Sequence, residues 1–137
     1  MAQKARRIDY FTMGISNRPG KAAEVLETLR TARVNLLGFT GFPRGSRGQI
    51  DFIPEDTASF MATAKHAEWT LNKKKTGFLV QGDDRPGAIG SVLSRLAGAG
   101  INVTAIDAVC AGKGRFGALL WVKPKDVRKA ARALGAS

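Results

Sequence analysis

The chain is short of the side chains that most active sites and metal centres use. Its 137 residues include one cysteine and one histidine. Cys110 has no partner for a disulfide within the chain, and its apolar surroundings (residues 105–111) predict a small core residue. His66 falls on a polar helix, which predicts a solvated surface position. Neither a zinc site nor a nucleophile–base pair is indicated, so we predict a protein that is not an enzyme and has no metal or cofactor.

Long hydrophobic runs are also absent. No apolar stretch approaches the roughly 20 residues of a membrane helix, and residues 3–7 lack the apolar core and cleavage pattern of a signal peptide. The sequence therefore predicts a cytoplasmic protein without a membrane partner. Its length allows two domains of about 65 to 70 residues, each too small to be comfortably stable alone.

Acidic residues are scarce, and this favours acidic partners. There are 11 Asp and Glu against 22 Lys and Arg, a net charge of +11. The excess is spread along the chain, and aromatic residues make up only 7% and do not alternate with it. A solvated basic surface is therefore favoured over a nucleic-acid site. The alternative is an adaptor that binds nucleic acid or an acidic protein through its sheet, which salt dependence would reveal.

The most informative pattern is an internal repeat. Residues 17–20 (Asn-Arg-Pro-Gly) precede a helical pattern and then residues 34–36 (Val-Asn-Leu), and 67 residues later 84–87 (Asp-Arg-Pro-Gly) and 101–103 (Ile-Asn-Val) repeat this order. Apolar residues between them recur at helical spacing. The sequence is thus a duplication of one small domain.

We place the two copies at residues 1–73 and 74–137. Predicted strands and helices of the first copy follow the order strand 8–15, helix from 19, strand 34–42, strand 49–53, helix 54–66 and strand 68–72. In the second helix Phe60, Met61 and Ala64 are expected to face inward. This βαββαβ order is the ferredoxin-like unit, in which two helices cover one face of an antiparallel sheet.

The second copy repeats the order but ends early. Its predicted elements are strand 75–82, helix 86–99, strand 101–111, strand 115–122 and helix 124–134, after which no fourth strand follows. The edge of residues 75–81 would then be bare. We expect another chain to cover it in a homodimer with a continuous or exchanged sheet, or else residues 68–72 or 2–7 of the same chain.

Each copy also carries polar residues suited to a small ligand. A helix N-terminus offers N–H groups and positive dipole, so a carboxylate could bind beside Gly20 or Gly87. Asn17 or Asp84, together with a strand-leading Asn, could receive the other polar end. The alternative is that these residues only cap a helix and turn the chain.

These motifs resemble the ACT domain, a small-molecule-binding regulatory module of amino-acid metabolism, over nearly the whole chain. The resemblance implies domains paired side by side and an effector bound at the seam, between the first loop of one domain and the second strand of the other. The first copy is similar to the serine-binding domains of phosphoglycerate dehydrogenase, with Asn17 and Asn35 at the matching positions. Ile15 and Gly82 replace a His of that pattern, and Arg33 replaces a Gly found at residue 100.

The resemblance implies a stand-alone tandem ACT protein, similar in organisation to the glycine-cleavage regulator. We expect it to bind a small amino acid at the ACT–ACT interface, to form a homodimer, and to act on a target enzyme or regulator. The residues expected to bind the ligand are Asn17, Arg18, Gly20, Asn35, Leu36, Asp84, Arg85, Gly87, Asn102 and Val103.

Overall fold

The computed structural model describes residues 3–136, which form an α+β protein. Within that range there are six strands, each antiparallel to its neighbours, four α-helices and a short 3-10 turn at Pro124–Asp126. The bounds are β1 Lys4–Ser16, α1 Lys21–Thr31, β2 Leu36–Arg44, β3 Arg47–Pro54, α2 Thr57–His66, β4 Lys75–Asp83, α3 Ala88–Gly98, β5 Val103–Cys110, β6 Arg115–Val122 and α4 Val127–Leu134. None of the helices described is long and apolar enough to cross a membrane.

The chain forms two compact units, and β1 contributes to both. The first unit is Asp9–Lys75; the second combines the residues up to Ile8 with those from Thr76 onward. The units therefore differ from the sequence copies at the N-terminus, where the first half of β1 lies with the later copy.

The first unit has the strand order β2-β3-β1 and an aromatic core. Phe11 of β1 lies opposite Phe52 of β3, and both contact Phe60 of α2, with ring centroids 5.1 Å apart in each pair. Val25 and Leu29 of α1 complete this cluster. Strand residues alternate between this core and the opposite face, as a sheet covered on one face by helices requires.

The predicted strand at residues 68–72 is wrong. Glu68 has a positive φ of 59° and ends α2, and the ring of Trp69 stacks on Phe52 at 5.7 Å. Leu71 also packs on the core, which explains the alternating pattern that predicted a strand. The N–H of Asn72 donates to the carbonyl of Thr12 at 2.9 Å. The segment follows the fourth-strand position without forming a strand.

The second unit has the strand order β1-β4-β6-β5, with an aliphatic core. The fourth-strand position beside β4 is filled by the first half of β1. A Cβ added at Gly82 would lie 2.9 Å from Gln3 Cγ, and one added at Gly77 would lie 3.2 Å from Ile8 Cδ1. The two pairings run in opposite directions, so this half of β1 is antiparallel to β4.

The expectation that another segment covers the edge of β4 is therefore confirmed, and within residues 3–136 the second copy forms no fourth strand of its own. The start of the chain covers the edge, which was one of the two intramolecular alternatives. A homodimer is not needed to satisfy the backbone of β4. The physical reason is that β1, with 13 residues, is long enough to pair with different strands along its two halves.

Two other side chains differ from expectation because their strand or helix face is uncovered. Cys110 is exposed, since β5 is the last strand in its unit's order and has one neighbouring strand. Met61 is 46% exposed, whereas the adjacent Phe60 is fully buried. The predictions for Phe60 and Ala64, which are buried, and for His66, which is exposed, are confirmed.

Candidate functional site

The two repeated loops have the same backbone. Gly20 and Gly87 are the N-cap residues of α1 and α3, with φ of 85° and 83°, and neither helix has a side-chain cap. The helices begin at the residue after each Gly, so the prediction that Pro19 occupies a first helical position is wrong. A left-handed N-cap suits glycine because it has no Cβ to clash.

A loop carbonyl uses the first N–H group of each helix. Lys21 N–H donates to the carbonyl of Arg18 at 3.3 Å, and Ala88 N–H donates to that of Arg85 at 3.1 Å. These bonds close each loop into a tight turn. The side chains at the second and third loop positions are left exposed.

In the first loop, the positive charge of Arg18 is paired with a carboxylate of the helix that follows. Arg18 pairs with Glu24 at 2.5 Å, and Lys21 Nζ lies 4.0 Å from the same carboxylate. Asn17 is exposed. The guanidinium is therefore already matched by a negative charge one turn into α1.

The second loop borders a cavity. Its volume is about 300 Å³, and it lies between the start of α3 and the end of β5. Asp84 is held there by its N–H, which donates to the carbonyl of Gly114 at 2.8 Å. The lining residues are Asp84, Arg85, Gly87, Ala88, Ile89, Gly90, Ala108, Val109, Cys110 and Phe116.

Cys110 interacts with Asp84 in this cavity. The hydrogen bond with the Asp84 carboxylate, burial and the negative charge of Asp84 together raise the pKa of the Cys110 thiol. A raised pKa lowers the thiolate fraction at a given pH. This environment is the opposite of one that activates a cysteine as a nucleophile.

The strand-leading asparagines lie at the other end of each sheet. Asn35 precedes β2, where Leu36 pairs with Pro54, whereas the first loop follows Ser16, which pairs with Arg47. These two ends of β3 are about 23 Å apart at the usual rise per residue. A site containing both the loop and the Asn of one unit is excluded.

The same separation holds in the second unit. The loop follows Asp83, which pairs with Arg115, whereas Asn102 precedes Val103, which pairs with Val122. Leu36 and Val103 are half-buried against the cores of their own units. The structure therefore brings together Asp84, Arg85 and Gly87, and it keeps Asn102 and Val103 apart from them.

Seven of the ten lining residues were not predicted as site residues, because the position of the end of β5 beside the loop depends on tertiary structure. They are Ala88, Ile89, Gly90, Ala108, Val109, Cys110 and Phe116. In residues 3–136 no group of three or more His, Cys, Asp or Glu side chains is placed to hold a metal ion.

Solved structures supply the clearest comparison. No protein-family model and no curated protein matches the sequence. The chain is similar to the crystallised protein BT0572 of Bacteroides thetaiotaomicron, with a TM-score of 0.82 and 19% identity over 96% of this chain and 88% of that one. It is also similar to the regulatory subunit of aspartate kinase from Thermus thermophilus, with a TM-score of 0.64 and 18% identity over 98% and 93% of the two chains.

A third likeness is to part of a larger enzyme. Aspartokinase III of Escherichia coli, crystallised with aspartate and ADP, matches with a TM-score of 0.56 and 17% identity over 97% of this chain and 32% of the enzyme. At these identities the comparisons show the fold. That fold is the ACT-type fold that the sequence resemblance predicted.

Proposed function

We propose that this protein is a non-catalytic regulatory protein that binds a small amino acid, with the second loop as its main site. One observation carries the proposal: Asp84 and Arg85 line the same cavity, together with apolar side chains of α3, β5 and β6. A free amino acid has an ammonium, a carboxylate and an often apolar side chain. The cavity offers a group complementary to each.

The loop backbone supports the same ligand. Gly87 lies at the N-terminus of α3, where the helix dipole favours a carboxylate. Gly87 has no Cβ that could block a ligand, and the space where a Cβ would lie is open, with no atom within 4 Å. We propose that the carboxylate lies towards Arg85 and Gly87 and that the ammonium lies towards Asp84.

The first loop is proposed as a weaker site. Glu24 already neutralises Arg18, so a ligand carboxylate would compete with an existing ion pair. Asn17 and Gly20 offer polar contacts but no carboxylate for an ammonium. We therefore expect one strong and one weak site per chain.

The proposal takes residues 1–73 and 74–137 as two ACT domains. Asn35, Leu36, Asn102 and Val103 keep the role implied by the ACT resemblance only if one ACT domain presents its second strand to the loop of another. Side-by-side domains and a homodimer are accordingly part of the proposal, as is a separate target enzyme or regulator. Several similar structures are regulatory subunits or domains of aspartate kinase, which supports this kind of role.

Titration calorimetry against the twenty amino acids tests the proposal. We expect one amino acid to bind, and Arg85→Gln and Asp84→Asn each to weaken it at least tenfold. Arg18→Gln is the matched control, because it makes the same change in the paired loop and should alter the strong site little. Asn35→Ala and Asn102→Ala should each cost about 1 to 3 kcal/mol of binding through a lost hydrogen bond.

A folded protein that binds none of the twenty at millimolar concentration would contradict the proposal. Equal weakening by Arg18→Gln and Arg85→Gln would instead place the strong site elsewhere. Light scattering measures the assembly separately, since a mass near 14.6 kDa would contradict the homodimer.

A further inference from the structure

A second cavity lies on the first unit, on the sheet face opposite the helices. Its volume is about 520 Å³. Thr12 and Gly14 of β1 reach it, and they alternate along the strand with the core residues Phe11, Met13 and Ile15. The lining residues are Thr12, Gly14, Arg44, Arg47, Gly48, Gln49, Asn72 and Lys75.

A buried carboxylate forms hydrogen bonds with two of the residues that line this cavity. Asp51 is 8% exposed and accepts hydrogen bonds from Thr12 Oγ1 at 2.8 Å, Thr40 Oγ1 at 2.8 Å and Gln49 Nε2 at 3.1 Å. Gln49 in turn accepts a bond from Arg44 Nη1 at 2.8 Å. Arg44 is exposed, and this bond links it to a network whose buried carboxylate is costly to disturb.

Arg47 and Lys75 are the other two cations of the lining. A Cβ added at Gly14 would lie 3.9 Å from Arg47 Nε and 4.0 Å from Arg47 Nη2, so the guanidinium extends over a residue without a side chain. The N–H of Asn72 donates to the carbonyl of Thr12, which fixes the segment leading to Lys75 at the rim. A side chain at residue 14 would enter the cavity.

The charge of the lining selects the ligand. Arg44, Arg47 and Lys75 are three cations, and no carboxylate is among the described residues that line the cavity, although Asp51, bonded to Thr12 and Gln49, offsets one charge. An amino-acid zwitterion would bring its ammonium into this positive field. Among the residues that the structure describes, no aromatic side chain lines this cavity, so a nucleic-acid base would find no ring on which to stack. Guanidinium groups match phosphate oxygens in bidentate pairs.

We propose that this cavity binds a phosphorylated small molecule that carries two or more negative charges. The site is distinct from the amino-acid site of the second loop, which belongs to the other unit. The protein would then respond to a second ligand that differs chemically from an amino acid. The basic residues that bind it are far apart in the sequence but close together in the fold.

Titration calorimetry with inorganic pyrophosphate at fixed ionic strength tests this inference, with inorganic phosphate and a single-stranded oligonucleotide as comparisons. We expect pyrophosphate to bind more tightly than either comparison. Arg44→Gln and Arg47→Gln should each weaken pyrophosphate at least tenfold. Lys65→Gln is the matched control, because it removes one exposed cation of the same unit that does not line the cavity, and it should change the affinity less than twofold.

Gly14→Leu provides an independent variant that keeps all the charges. It should abolish pyrophosphate binding by filling the cavity, with circular dichroism showing that the fold is retained. Undetectable pyrophosphate binding, equal weakening by Lys65→Gln, or tighter oligonucleotide binding that Gly14→Leu leaves unchanged would each overturn the inference. Because the probe contains no amino acid, these outcomes leave the test of the second-loop site unaffected.

Discussion

The two repeated loops have the same backbone in different chemical surroundings. Gly20 and Gly87 have nearly equal φ, and both helices begin at the next residue. Arg18, however, pairs with Glu24, whereas Ser91 stands where Glu24 would recur and Arg85 borders a cavity with Asp84. Duplication has kept the conformation that glycine allows, and the neighbouring residues decide what each loop can bind.

The units also differ in how they fill the fourth-strand position. The second unit uses the first half of β1, which pairs along β4. The first unit uses residues 68–72, which form no strand and contribute Trp69 and Leu71 to the core. The same place in the fold is thus stabilised by backbone pairing in one unit and by side-chain packing in the other.

The largest effect is expected from Leu79→Pro, which tests the backbone pairing. β4 has strands on both sides, so proline removes a ladder hydrogen bond or clashes whichever side residue 79 faces. We expect a loss of about 3 kcal/mol or more in the free energy of unfolding, measured by thermal or denaturant melts.

Leu79→Ile is the control, since it keeps the N–H group and the apolar bulk. Its stability should stay close to that of the unchanged protein. A Leu79→Pro protein that remains folded and only dissociates into smaller species would show that β4 is an assembly edge instead.

The equality of the two loop backbones can be tested by alanine. Gly20→Ala and Gly87→Ala should each cost about 1 to 2 kcal/mol, because each places a Cβ in the left-handed region while meeting no neighbour within 4 Å. Gly98→Ala, at the last residue of α3, should stabilise by roughly 0.5 to 1 kcal/mol. Denaturant melts measure all three, and an alanine tolerated at only one loop would show that the backbones are not equivalent.

The difference between the loops can be tested at Cys110. The carboxylate of Asp84 raises the pKa of this thiol by a hydrogen bond and by charge, so Asp84→Asn should lower that pKa and increase the thiolate fraction near pH 8. Alkylation by iodoacetamide should then be faster. Asp107→Asn, the same change elsewhere on β5, should leave the rate nearly unaltered, and an equal acceleration there would refute the Asp84 contact.

The smallest effect is expected at Glu24. The Arg18–Glu24 pair is about half exposed, so Glu24→Gln should lower the free energy of unfolding by about 0.2 to 1 kcal/mol at most. Ser91→Glu should give Arg85 an equivalent partner and weaken the proposed amino-acid site. Calorimetry on the two variants compares them directly, and unchanged binding in Ser91→Glu would argue that Arg85 does not contact the ligand.

Several features were predictable because they depend on local patterns. The repeat and the period of its apolar residues predicted all six strands and all four helices to within a few residues, together with a seventh strand at residues 68–72 that the structure does not form. Phe60 and Ala64 were correctly placed in the core, while Met61 was not. Adjacent residues of a helix point in different directions, so the neighbour of a core residue can face outward. Cys110 was misplaced because an apolar stretch does not say whether its strand lies at the edge of a sheet.

The candidate sites were less predictable. Loop residues 84–87 could be selected from the repeat. That Val109 and Cys110 lie beside this loop, however, depends on the pairing of β5 with β6. The grouping of Arg44, Arg47 and Lys75 depends on the β2–β3 hairpin and on where residues 72–75 return to β1.

The sequence by itself determined the duplicated architecture, because glycine positions, helix periodicity and strand alternation act over a few residues and are repeated in the chain. Tertiary structure alone decided that β1 serves both units, that each strand-leading Asn lies far from its own loop, and that scattered cations share one cavity. The physical reason is that strand pairing joins residues distant in sequence through generic backbone hydrogen bonds. Those bonds are made by backbone N–H and C=O groups, which are the same in every residue except proline.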